Sequence, residues 1–261
     1  MICIEALSIP RSFRPPKKTY SVHFLVLLTL LIVGVRNAKA EVRLARIFAD
    51  HMVLQRDQPI QIWGWADKGE KVKVQFASHA AETTAAEDGA WSVTLKPLKA
   101  SAEGKPLNVE SAAKSIVVQD VVVGEVWHAS GQSNMAMSVG AMVEELESVK
   151  ADVTAAALPS LRFCRINEAE SAQPLDDLRK DASWTVCTPA TVSGFSGVAF
   201  YFAWMLHKEL DVPIGVIDSS RGGTPIEPFI PRAAFDSHPT LRRGRGPACQ
   251  PWLLRRAAKR Q

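Results

Sequence analysis

The sequence predicts an α/β protein in which a small β-sandwich-like domain precedes a parallel sheet. Two patterns lead to this prediction. Residues 41–119 contain short runs of alternating apolar and polar residues separated by turn residues, which is typical of antiparallel strands. Over residues 120–236, continuous apolar strands alternate with helical segments, which is typical of a parallel sheet covered by helices. The 261 residues, 47% of them hydrophobic, are enough to bury the core of such a fold.

The β domain predicted over residues 41–119 consists of short strands with tight turns between them. Its run Asp50–Arg56 holds three titratable or charged side chains, those of Asp50, His51 and Arg56, which have the composition of a site. We interpret them instead as polar contacts at a strand edge or a domain interface. The predicted strands of this domain are Ile60–Trp65, Val72–Phe76, Trp91–Leu95, Leu107–Val109 and Ile116–Val118.

The segment predicted as an α/β domain covers residues 120–236. Two of its strands end in loops that contain glycine, and open α/β sheets place their ligand sites at the C-terminal ends of strands. The predicted elements are a strand at Val121–Trp127, a helix over 141–157, a strand at Leu161–Ile166, a helix at Gly197–Leu210 and a strand at Ile214–Asp218.

The first of these loops places Gly131 and Ser133 between a buried strand and a predicted helix. Glycine permits a sharp turn, and a serine at the start of a helix exposes its hydroxyl beside its own N–H. That combination suits a nucleophile whose amide also stabilises an oxyanion. The second loop, Gly222-Gly223-Thr224, can supply another N–H with no side chain in the way. The alternative interpretation is that Ser133 only caps the helix.

Four stretches, in order along residues 41–236, resemble the sialate O-acetylesterase family within the SGNH hydrolases. The nucleophile block is Gly124–Met135, which contains Ser130-Gly131-Gln132-Ser133-Asn134-Met135. The other three are Asp50–Arg56 in the β domain, Phe195–Phe202 in a buried helix, and Gly222–Glu227 in the second loop.

The resemblance implies an SGNH-type, flavodoxin-like parallel sheet and a carbohydrate O-acetylesterase activity on an O-acetylated sugar or glycan. It implies that Ser133 is the catalytic nucleophile, and that Gln132, Asn134, Gly222 and Gly223 surround the oxyanion or the substrate. It implies no metal and no organic cofactor.

Two further blocks of that family are absent from this sequence: a Trp-x-Gln-Gly-Glu pattern and the Asp-x-x-His-Pro pattern that supplies the base. We therefore expect an incomplete sheet, a truncated or frame-shifted product, and impaired activity. Two histidines are substitute candidates for the base, His238 in Asp236-Ser237-His238-Pro239 and His128 on the strand before Ser133. The alternative to an enzyme is a non-catalytic carbohydrate-binding or interaction remnant.

The formal net charge of +4 belongs to the two ends of the chain. Residues 1–40 carry +5 and contain the apolar run Phe24–Val35 followed by Ala38-Lys39-Ala40, the pattern of a secretory signal peptide. Residues 237–261 form a basic, divergent tail of +7, which leaves −8 on residues 41–236. We therefore expect a secreted or periplasmic protein with no nucleic-acid partner and, once the signal is cleaved, no stable membrane insertion.

The predicted mature chain holds three cysteines, Cys164, Cys187 and Cys249. Their spacing is not that of a metal site. Cys164 and Cys187 form either a disulfide, which an oxidising compartment permits, or two buried free thiols.

Overall fold

The computed structural model describes residues 41–166 and 175–230, together with Ala234, Ser237 and His238. The predicted signal peptide, residues 1–40, lies outside the described residues. So does the predicted basic tail apart from Ser237 and His238.

Strands dominate the first half of the described chain, and helices appear only after residue 132. The strands are β1 (Arg43–Leu44), β2 (Val53–Gln55), β3 (Ile60–Trp65), β4 (Lys71–Phe76), β5 (His79–Thr84), β6 (Ala90–Leu95), β7 (Ser101–Ser111), β8 (Ser115–Ala129), β9 (Leu158–Arg165), β10 (Trp184–Cys187) and β11 (Ile214–Asp218). The helices are α1 (Ser133–Ala136), α2 (Val139–Glu145), α3 (Glu147–Ala155) and α4 (Gly197–Leu210), with 3₁₀ turns at Val192–Gly194 and Glu227–Phe229.

The strands form two sheets. The smaller one has the antiparallel order β1-β3-β6, and the larger one has the order β10-β9-β11-β8-β7-β4-β5, with β2 also paired to β8. Strand β11 is parallel to both β8 and β9, as the continuous apolar runs predict, and β2 is parallel to β8. The remaining pairs of the larger sheet are antiparallel, so the central sheet is mixed rather than purely parallel.

Strand β8 carries the chain from the β-rich half into the α/β half. The sequence analysis predicts two strands here, Ile116–Val118 and Val121–Trp127, but the structure has one strand of 15 residues. The expected domain boundary between residues 119 and 120 falls inside it, at Asp120, whose backbone φ is +53°. A bend therefore replaces the break that the polar residues at 119–120 suggest.

The helices cover one part of the larger sheet. Helix α4 has the predicted bounds, and the Ser196 hydroxyl accepts a hydrogen bond from the Ala199 N–H at its start. The single helix predicted over 141–157 is two helices, α2 and α3, because Leu146 between them is extended. With this break, Val139 of α2 and Val149 of α3 are both buried in one apolar cluster.

Candidate active site

The two glycine-containing loops meet at the C-terminal ends of β8 and β11. These strands are parallel neighbours, so their ends lie at the same edge of the sheet. The Ser219 N–H donates to the Ala129 carbonyl (2.9 Å), and the Arg221 N–H donates to the Gly131 carbonyl (2.8 Å). The backbone itself therefore holds the second loop against the first.

Gly131 makes the turn that presents Ser133. Its φ is +143°, in the region that side chains disfavour, and a Cβ there would lie 3.3 Å from the Met135 Cβ. Ser133 then begins α1 with its side chain exposed, and its Oγ donates a hydrogen bond to Gln132 Oε1 (2.8 Å). Asn134 follows on the exposed side of the same helical turn.

Gly222 is the residue of the second loop that approaches Ser133. A Cβ built on Gly222 would lie 3.9 Å from the Ser133 Cα, so the two backbones are close. Gly223 has φ +71°, a left-handed conformation that glycine adopts at little cost. The structure thus brings Ser133, Gln132 and the glycine pair into two facing loops.

A cleft of about 970 Å³ opens beside these loops. Gly131 and Gln132 of the first loop line it, Ser219 and Thr224 of the second loop line it, and Phe229 adds an apolar surface. Ser133 lies next to this lining rather than within it. A cleft of this size, mostly apolar with a few hydroxyls, suits an organic ligand.

The chain is similar in sequence to proteins named as sialate O-acetylesterases. The chain is 31% identical over 230 residues to the sialate O-acetylesterase of Rattus norvegicus and 30% identical over 218 residues to that of Homo sapiens. These alignments cover 81% and 77% of this chain. Over the residues that align, this chain resembles the sialate O-acetylesterases. No family model matches it.

A solved structure is similar in both fold and sequence. A carbohydrate acetylesterase from Xanthomonas citri superposes with a TM-score of 0.70 and 33% identity, over 76% of this chain and 44% of that one. The chain spans about two fifths of the length of the curated sialate O-acetylesterases that it matches, 41% in each of the two alignments.

The two candidate bases occupy different places. His238 is exposed, and its neighbours Asp236 and Pro239 lie outside the described residues. His128 lines the cleft, but its Nε2 lies 2.6 Å from the Oγ of Ser219 rather than beside Ser133. Within residues 41–166 and 175–230, no histidine hydrogen-bonds to Ser133. Sequence reasoning missed Ser219, although it directly follows the predicted strand Ile214–Asp218.

The run Asp50–Arg56 makes the polar contacts that the sequence predicts. Asp50 Oδ1 accepts the Gln119 N–H (2.7 Å), and Arg56 Nε lies 2.7 Å from Glu125 Oε1. Both partners belong to β8, so this part of the family motif ties the N-terminal strands to the strand that leads to Ser133.

Cys164 and Cys187 are buried free thiols. Cys164 lies opposite Trp184 in the β9–β10 pair, whereas Cys187 lies opposite Leu158. Six residues of strand separate the two positions along β9, roughly 20 Å, which is too far for a disulfide. Burial raises the pKa of the Cys164 thiol to about 11 and that of Cys187 to about 12, so neither thiol is poised as a nucleophile.

The described residues contain no group of three or more His, Cys, Asp or Glu side chains placed to hold a metal ion. In the same part of the chain, no helix is both long enough and apolar enough to cross a membrane.

Proposed function

We propose that this chain carries the nucleophile half of a carbohydrate O-acetylesterase site, with an O-acetylated, sialate-type sugar as the substrate. The observation that carries the proposal is the approach of Gly222 to Ser133 at the ends of two parallel strands, beside an open cleft. The aligned relatives are named as sialate O-acetylesterases. Two of the stretches of this sequence that resemble that family, Gly124–Met135 and Gly222–Glu227, contain these two loops.

In the proposed reaction, Ser133 Oγ attacks the acetyl carbonyl carbon while its proton passes to a base. The N–H groups of Ser133 and Gly223 stabilise the oxyanion, and Gln132 and Asn134 shape the turn around them. The bond between the acetyl carbon and the sugar oxygen breaks, the leaving sugar oxygen takes up the proton from the base and becomes a hydroxyl, and water then releases acetate from the serine. No metal or cofactor enters this scheme.

We also propose that the 261 residues by themselves perform this reaction slowly. The Ser133 hydroxyl donates to an amide oxygen, Gln132 Oε1, and a neutral amide is not a base that takes up the serine proton. A serine without its base is a weak nucleophile, and loss of a triad member lowers the rate by about 10⁴-fold.

The proposal also covers the location of the protein and the exclusion of nucleic acid as a partner. Cleavage after Ala40 would deliver the chain to the periplasm or the extracellular space, where O-acetylated glycans are accessible. The −8 charge of residues 41–236 makes nucleic acid an unsuitable partner.

The test is acetate release from an O-acetylated N-acetylneuraminic acid. We expect slow turnover by the 261-residue chain and at least a tenfold further loss in Ser133→Ala, because the attacking oxygen is removed. Ser130→Ala, in the same loop, is the matched control and should keep most of the activity. Release that is unchanged in Ser133→Ala would contradict the nucleophile assignment, and rapid turnover by the unmodified chain would contradict the impairment.

A second candidate function, non-catalytic carbohydrate binding, is favoured by a groove on the smaller sheet. Trp63 and Trp65 lie on one face of β3 opposite the small residues Ser92 and Ala90 of β6, in a groove of about 410 Å³. Indole rings beside a hydroxyl suit a sugar ring, and the Arg43 guanidinium already covers one face of Trp65, 3.8 Å from the ring centroid. Glycan binding that survives Ser133→Ala and is lost in Trp65→Ala, without acetate release, would favour this function.

A further inference from the structure

A second serine in the cleft already has a histidine partner. His128 is near the end of β8, where Ile217 of β11 is its register partner, and Ser219 is the first residue beyond β11. The His128 Nε2 and the Ser219 Oγ are 2.6 Å apart, a hydrogen bond. Both side chains line the 970 Å³ cleft.

The backbone around Ser219 is held from two sides. Its own N–H is bonded to the Ala129 carbonyl (2.9 Å). The next N–H, that of Ser220, donates to Oδ1 of the buried Asp218 (2.8 Å). The hydroxyl of Ser219 is therefore presented to His128 by a fixed loop, which is the pre-organisation that a nucleophile requires.

The contrast with Ser133 is chemical. The Ser133 hydroxyl is bonded to an amide oxygen, whereas the Ser219 hydroxyl is bonded to an imidazole nitrogen. Only the imidazole can take up a proton as the oxygen attacks a carbonyl.

We propose that Ser219 and His128 form a second nucleophile–base pair in this cleft, which accepts the acyl group of small activated esters. This pair does not depend on Ser133 as a nucleophile, so the two assignments can fail separately.

In the tautomer with its proton on Nδ1, His128 accepts the Ser219 proton at Nε2 as Oγ bonds to the acyl carbon. The ester C–O bond breaks, and the imidazolium returns its proton to the leaving alkoxide. Water then attacks the acyl-serine with His128 as the base, which yields the free acid and restores the hydroxyl.

The experiment is covalent labelling of the 261-residue chain with a fluorophosphonate, followed by peptide mass spectrometry to locate the adduct. We expect the adduct on Ser219 in the unmodified chain and in Ser133→Ala. The decisive variant is His128→Gln, because glutamine can keep a hydrogen bond to Ser219 but cannot act as a base. Labelling of Ser219 should then slow by about 10²-fold or more.

Three results would overturn the proposal. They are an adduct confined to Ser133, Ser219 labelling that is unchanged in His128→Gln, and a folded chain in which Ser219 is never labelled. A far-UV circular dichroism melt of each variant confirms that it is folded. An adduct confined to Ser133 would still support Ser133 as the esterase nucleophile. Labelling of Ser219 without acetate release from the sugar ester would support only the Ser219–His128 pair.

Discussion

Arg162 holds the backbone at Asp120 of β8, the strand that leads to Ser133. Its buried guanidinium donates hydrogen bonds to the His51 carbonyl (3.1 Å), to the Asp120 carbonyl and to Asp120 Oδ1 (3.2 Å). His51 and Asp120 both have positive φ, at +68° and +53°, a conformation that costs energy for residues with a side chain. The hydrogen bonds of the guanidinium therefore offset the strain at these two positions. His51, Asp120 and Arg162 thus stabilise the fold.

The carboxyl of Asp120 makes the stability of the chain dependent on pH. Burial raises the pKa of Asp120, but the His51 hydrogen bond and the Arg162 charge outweigh burial, so the net pKa lies below its usual value. A group with a lowered folded-state pKa stabilises the fold above its unfolded pKa of about 3.9, and this stabilisation is lost as the pH falls through the folded value.

We expect Asp120→Asn to lower the free energy of unfolding at pH 7 and to flatten its decline below pH 4. The difference should be about 1 kcal/mol or less, because Asp120 is 39% exposed to water. Urea unfolding at pH 7, 4 and 3 measures it. Parallel pH curves for the unmodified chain and Asp120→Asn would contradict the assignment.

At the scale of elements, the approach of β11 to β8 depends on a glycine. A Cβ on Gly124 would lie only 1.9 Å from the Pro213 carbonyl oxygen, which itself accepts the Glu125 N–H (2.9 Å). Pro213, the residue just before β11, therefore lies directly against Gly124 of β8. Any side chain at this position would separate the two strands whose ends carry the candidate site.

We expect Gly124→Ala to destabilise the chain by about 1–3 kcal/mol, because backbone atoms must move to admit the methyl group. Gly194→Ala is the matched control, since a Cβ there meets no atom within 4 Å and its φ is not positive. Thermal unfolding measures both variants. Equal melting temperatures for the two would show that the strands adjust without cost.

At the scale of the whole molecule, one face of α4 is apolar and exposed. Val198, Phe202 and Met205 follow one another at the spacing of a single helix face and are 52%, 43% and 55% exposed. Trp127 of β8, also exposed, packs edge-on against Phe202 with ring centroids 5.2 Å apart. A contiguous apolar surface of this kind favours association in water.

We expect the double variant Val198→Ser, Met205→Ser to self-associate less than the unmodified chain. Sedimentation velocity over a range of concentrations measures the change. Val117→Ser, which removes an exposed hydrophobic residue (45%) on β8, is the matched control and should leave association unchanged. Association that is the same in all three chains would contradict a role for this face.

Much of the local structure follows from the sequence. Alternation predicts β3 and β6, and the apolar segment Gly197–Leu210 predicts α4 with the observed bounds. The weaker patterns fail: no predicted strand corresponds to β1, β2, β5 or β10, and the single strand β8 is predicted as two strands. Strand pairing supplies the hydrogen bonds that keep such segments extended, and pairing is not a local property.

The sequence by itself determined the family resemblance and the loops that carry the candidate site, because both depend on residue order at short range. Only the tertiary structure decided which side chains meet there. It brings Gly222 to Ser133 and His128 to Ser219, and it holds the two cysteines apart. The physical reason is register: parallel pairing of β8 and β11 fixes which residues stand side by side, and neither strand specifies that alone.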